Sequence, residues 1–149
     1  MNDHEARHDV LRLLSRVQRP PERPFPGGAD DQEIADLERR LGVPLPDSLV
    51  DWLRSCKGEA ICAGGVLGAR PDDESLDMAT CLAMFPTWRD SGWLPVAGDG
   101  CGNYFVLVTS GELAGQVGFI DTIADPGSIE SMEGRSLWVF LRRLLSQDG

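Results

Sequence analysis

Apolar positions recur at helical spacing near both ends of the chain and gather into short runs in its middle. Val10, Leu13, Leu14 and Val17 make an i, i+3, i+4, i+7 stripe on an otherwise polar segment, which predicts an amphipathic helix. The pattern breaks at Pro20, Pro21, Pro24 and Pro26, followed by Gly27 and Gly28. Four prolines so close together exclude a helix interior or an inner strand, because each lacks an N–H and has a fixed φ. Residues 1–18 are therefore expected to be a helical appendage, packed on or loosely tethered to the rest. Residues 19–29 are expected to be a Pro/Gly-rich linker, and 30–149 the main domain.

That domain opens with Asp30 and Glu33 at the spacing of a capping box. Ile34, Leu37 and Leu41 continue at helical period, and Gly42 supplies a stop. After the stiff Val43-Pro44-Leu45-Pro46 connector, Asp47 or Ser48 is the expected cap of a further helix, with Leu49, Trp52, Leu53 and Cys56 on one face. Ala60–Cys62 and Val66–Leu67, separated by Gly64-Gly65, suit a hairpin. Leu76–Phe85 is compatible with a short helix or with irregular structure. Strands are predicted at Trp93–Ala97, where Pro95 favours an edge or a bulge, at Tyr104–Thr109 and at Gln116–Ile123. A helix is predicted after Ser136, with Leu137, Phe140, Leu141, Leu144 and Leu145 facing inward. Short turns between consecutive strands argue for antiparallel pairing. Helices, then strands, then a helix predict an α+β fold: an antiparallel sheet with helices packed on one side.

The chain has 149 residues, enough for one domain that buries about 68–70% of its unfolded surface without a disulfide or metal staple. No apolar run approaches the ~20 residues that span a bilayer, and the polar start carries no signal-peptide pattern. A cytoplasmic protein is expected. Cys56, Cys62, Cys81 and Cys101 include no C-x-x-C pair, which argues against structural zinc and for reduced, mostly buried thiols.

Candidate chemistry is sparse. His4-Glu5-Ala6-Arg7-His8 fits the H-E-x-x-H zinc-protease pattern, but a zincin needs a shielded cleft that a chain end does not supply. His4 and His8 are the only histidines, so the main domain has no imidazole base. Carboxylate pairs could support acid–base chemistry, but the acids sit in Gly- and Pro-rich loops that read as solvated. Gly98, Gly100 and Gly102 lead into a strand, whereas a phosphate loop opens a helix; they read as positive-φ turn positions. No catalytic residue, metal ligand or cofactor is therefore expected.

Charge changes the picture more. The net charge is −10, and residues 59–133 carry all of that excess, with only Arg70 and Arg89 as bases. Such a stretch repels nucleic acid and anionic membranes, serves solubility, and can steer a basic protein partner into contact. The expected partner-contact residues are Asp72, Asp73, Glu74, Asp77, Asp90, Asp99, Glu112, Asp121 and Asp125. Trp88 is the expected aromatic anchor, because tryptophan is enriched at interface hot spots.

Several segments share one further pattern. They are Ile34-x-x-Leu37-Glu38-x-x-Leu41-Gly42, Leu45-Pro46, and Leu49-x-x-Trp52-Leu53 ending at Gly58. Then come Gly92-Trp93-Leu94-Pro95-Val96-Ala97-x-Asp99-Gly100-x-Gly102-Asn103-Tyr104, Gly115-x-Val117 leading to Phe119, and Ser136-Leu137-x-x-Phe140-Leu141. In order and spacing these resemble the Smi/Knr-like branch of the SUKH superfamily over about residues 30–145. The resemblance implies an α+β fold without a recognised catalytic centre. It also implies an immunity protein that neutralises a toxin, often a nuclease, or alternatively a regulatory or scaffold module. The first helix and the linker depart from the minimal pattern, and Cys56-Lys57-Gly58 replaces a more usual Asn-Gly ending. No functional residue carries over by position.

Overall fold

Helix α1 (Asp3–Ser15) starts where the Asn2 side chain accepts the Glu5 N–H, and its Ala6, Val10 and Leu14 are buried. They join the single hydrophobic core, and α1 lies along the last helix, α6 (Leu137–Gln147). The computed structural model describes residues 2–147. Arg142 donates to Asp9 at 2.8 Å, and the Ser136 hydroxyl donates to Asp3 at 2.6 Å. Of the two arrangements expected for this helix, the packed one is observed.

The 19–29 segment forms neither helix nor strand, yet it is a fixed strap. Arg19 pairs with the mostly buried Glu59 and stacks over the Phe25 ring at 4.5 Å. The strap is pinned at its far end by backbone bonds from Lys57 N–H to Gly27 O and from Ala29 N–H to Leu53 O.

Helix α2 (Asp31–Leu41) has the expected capping box between Asp30 and Glu33. Helix α3 (Asp47–Ser55) departs from expectation: it begins at Asp47, so the cap position falls on Pro46, which offers no side-chain acceptor. Beyond it, Glu59 and Val66 pair antiparallel as a small hairpin, and Val66 pairs in turn with Ala97. Gly64 lies so close to Gly98 that a Cβ there would sit 2.1 Å from the Gly98 carbonyl carbon, which explains the absence of side chains at that crossing.

Leu76–Phe85, left open by the sequence, is helical. A 3-10 turn (Glu74–Leu76) leads into α4 (Met78–Met84), and α5 (Pro86–Ser91) follows. No pattern in the sequence announces α5, which ends on Gly92 in the left-handed conformation. Four antiparallel strands follow in spatial order β1 (Trp93–Gly98), β2 (Tyr104–Val108), β3 (Val117–Ile120) and β4 (Ser131–Gly134). Pro95 sits at a register shift in the first strand of this sheet, so its missing N–H breaks no inner ladder. Strand β3 stops at Ile120, three residues short of expectation, because its partner β2 begins at Tyr104 and the Tyr104–Ile120 pair is the last. Strand β4 (Ser-Met-Glu-Gly) is short and largely exposed, with no β-branched residue to announce it.

The α+β class with an antiparallel sheet is thus the observed one. The helical cover is divided between the faces: Tyr104 meets Phe85 and Trp88 beside α4 and α5, while the next residue, Phe105, meets Phe119 and Phe140 of α6. Alternate residues of a strand point to opposite faces, so helices lie on both. Trp52 and Trp138 meet edge-to-face at 6.0 Å within the core.

Candidate protein-interaction surface

The acid-rich stretch of sequence divides into three places. The first is built around Asp77, whose side chain is fully buried. Arg40 reaches it from α2 with both terminal nitrogens, at 3.1 and 2.5 Å. The Arg70 N–H, the Thr80 N–H and the Thr80 hydroxyl complete its coordination. Burial works against the charge, but the bonds from Arg40 and Thr80 outweigh it and hold the carboxyl below its ordinary range. Asp72 pairs with Arg70, which pulls its pKa down, and Asp73 caps the 3-10 turn through Ser75. Glu74 is exposed and makes no such bond. The expectation that Asp77 contacts a partner is corrected: its carboxylate is committed to joining α2, α4 and the Arg70 backbone in the segment leading to α4.

The second place is one end of the sheet, where the 99–103 turn and the 121–130 loop lie side by side. Gly100 and Gly102 have φ of 86° and 90°, the turn role read from the sequence, whereas Gly98 does not: it is the last residue of β1, and its lack of a side chain is explained by the close approach of Gly64. Asp99 accepts from the N–H groups of Cys101 and Asn103 and from the Asn103 amide. Partial burial opposes the Asp99 charge, yet these donors prevail and keep its pKa low. The Asn103 oxygen accepts the Thr122 N–H at 3.0 Å, and the Thr122 hydroxyl donates to Gly102 O at 2.8 Å, so turn and loop are tied together. Asp121 caps the N–H groups of Ile123 and Ala124, and Asp125 caps that of Gly127. Asp99, Asp121, Asp125 and Glu130 form no ion pair among the described residues. No Lys or Arg occurs between Arg89 and Arg135.

Beneath this end lies an aromatic group. Phe85 and Trp88 stack at 4.1 Å, and Tyr104 meets both edge-on. Trp88 is fully buried, and its indole N–H donates to Pro126 O at 2.7 Å. The expectation that Trp88 is itself a contact anchor is therefore corrected, since its ring fills the core. Its role is to pin the loop from below. The third place is the opposite end of the sheet, with Glu112 in the β2–β3 turn and Asp90 just before Gly92, whose carbonyl binds Thr109. Sequence proximity had implied one acidic surface; antiparallel turns send alternate loops to opposite ends.

His4, Glu5 and His8 lie exposed on α1, and no group of three metal-binding side chains occurs among the described residues. Cys56 and Cys81 are buried, which pushes their thiols up to about 12 and keeps them protonated at neutral pH. A cleft of about 610 Å³ opens between the strap and residues 59–61 and 70–76. Its inner cations, Arg19 and Arg70, are already paired with Glu59 and Asp72. No helix among the described residues is long and apolar enough to cross a membrane.

The sequence pattern of the SMI1/KNR4 family (SUKH-1) matches residues 28–142. A comparison with curated proteins gave no significant match. The chain belongs to the SMI1/KNR4 family, with α1 and most of the strap lying before the matched span.

Proposed function

We propose, with membership of the SMI1/KNR4 family as premise, that this chain is an immunity-type binding module that holds and blocks a basic toxin domain. A nuclease-type toxin fits best, because an enzyme that grips phosphate needs a cationic surface, and an acidic inhibitor presents a similar field. The observation that carries the reading is the carboxylate-lined sheet end, whose acids form no ion pair among the described residues. On this reading the chain acts in the cytoplasm, by occupancy and not by catalysis. Having its only imidazoles on the exposed face of α1 supports that view.

The test is co-expression with the product of the adjacent gene, followed by stopped-flow association of the purified pair. A stable complex is expected whose association slows by about tenfold or more between low and physiological salt, as steering requires. Equal rates at both salt concentrations would remove the electrostatic basis of the reading. A neighbouring product that is not a toxin but still binds would favour a regulatory module.

A further inference from the structure

Ile123 is 87% exposed at the tip of the 121–130 loop, the most exposed of the large apolar side chains described. Isolated exposed apolar residues are ordinary, but this one stands on a loop that is held in place. Asp121 caps its N–H, Thr122 beside it is bound to Asn103 and Gly102, and Trp88 holds Pro126. Half-buried Phe85 and Tyr104 border the same Trp88 ring, and Met84, next to Phe85, is 57% exposed. Ile123 thus projects from a loop pinned at Trp88, about which Phe85 and Tyr104 gather, and the turn and loop at this end carry the carboxylates of Asp99, Asp121 and Asp125, none of them in an ion pair among the described residues.

We propose that this surface, with Ile123 as its projecting anchor and Met84, Phe85 and Tyr104 behind it, is where the partner docks. The occupant is a basic protein surface with an apolar recess that receives Ile123. Charge selects that occupant. A second copy of the chain would set carboxylate rim against carboxylate rim, and a nucleic acid or an anionic membrane would meet the same repulsion. The frame matters because a loop already held in place loses little freedom on binding. This inference rests on the proposed function and adds the location and the division of labour. The apolar tip governs how long the complex lasts; the rim governs how fast it forms.

The experiment measures binding of the full-length chain to the adjacent-gene product, with three substitutions compared against wild type. Ile123→Asp and Met84→Asp are expected to weaken binding by at least about tenfold, mainly through faster dissociation. Leu113→Asp, at the opposite end of the sheet and 42% exposed, is expected to leave it unchanged. Unfolding midpoints check that each variant folds, and a photo-crosslinking residue at position 123 should label the partner even if a substitution disturbs the loop. Tight wild-type binding with Ile123→Asp and Met84→Asp unaffected, or with Leu113→Asp alone damaging, overturns this surface and leaves the proposed function standing. Absence of wild-type binding overturns both.

Discussion

The Asp72–Asp77 segment and the 99–103/121–130 end of the sheet look alike in sequence, both rich in acids and short of bases. In the fold they do opposite things. Asp77 is buried against a guanidinium that approaches from α2, 37 positions earlier, and Asp72 is neutralised by Arg70. The carboxylates at the sheet end meet only backbone N–H groups and one asparagine. An acid that finds an arginine becomes a structural tie. One that finds only amide dipoles shapes its own loop with no counter-charge bonded to it. The lesson is that the field a partner meets is the remainder after internal pairing: Asp72 and Asp77 drop out of it, while Asp73, Glu74 and the carboxylates at the ends of the sheet stay.

The contrast can be broken most severely at Asp77. Asp77→Asn should cost about 3 kcal/mol by chemical denaturation, because it leaves the Arg40 guanidinium facing a neutral group and removes a shared acceptor. The pH dependence has a definite sign. The folded pKa of Asp77 lies below the unfolded one, so its contribution is present above the ordinary carboxylate range and lost as pH falls through the folded value. The stability gap between wild type and Asp77→Asn should therefore be flat near neutrality and close in acid. A gap that widened in acid would contradict the assignment.

A smaller effect is expected from Trp88→Phe, which keeps one six-membered ring but removes the other ring from the core together with the bond to Pro126. About 2 kcal/mol should be lost, and amide exchange should quicken in the 121–130 loop while α2 is unchanged. Asp121→Ala uncaps Ile123 and Ala124; a loss of about 0.5–1 kcal/mol is expected, again with faster exchange confined to that loop. The smallest stability effect belongs to Asp125→Lys, within about 0.5 kcal/mol of wild type, because its carboxylate bonds only the Gly127 N–H. That variant should nevertheless flatten the salt dependence of partner association, whereas Asp72→Lys should do so less, because Arg70 already offsets that charge.

Much of the scaffold was legible because the signals were local. The Asp30/Glu33 capping box, the glycine turn at 99–103, the Pro95 irregularity and the burial of Trp52 and Trp138 each follow from neighbours within a few residues. The misses have equally physical causes. Helix α5 begins with Pro86 and lasts six residues, too short to show a periodic stripe. Strand β4 takes its identity from pairing with β3, not from composition. Ile123 reads as the natural end of an apolar strand, and only the register set by Tyr104 leaves it outside.

From the sequence alone follow the α+β class, the family resemblance, the excess of carboxylates and the lack of an imidazole beyond His8. Each depends on composition or on short-range spacing, which the chain carries whatever its shape. Tertiary structure decided which carboxylates are spent on arginines, that Trp88 lies beneath the surface, and that Ile123 stands at its tip. Those outcomes depend on contacts across 37 and 38 positions, Arg40 with Asp77 and Trp88 with Pro126, and no local pattern encodes them.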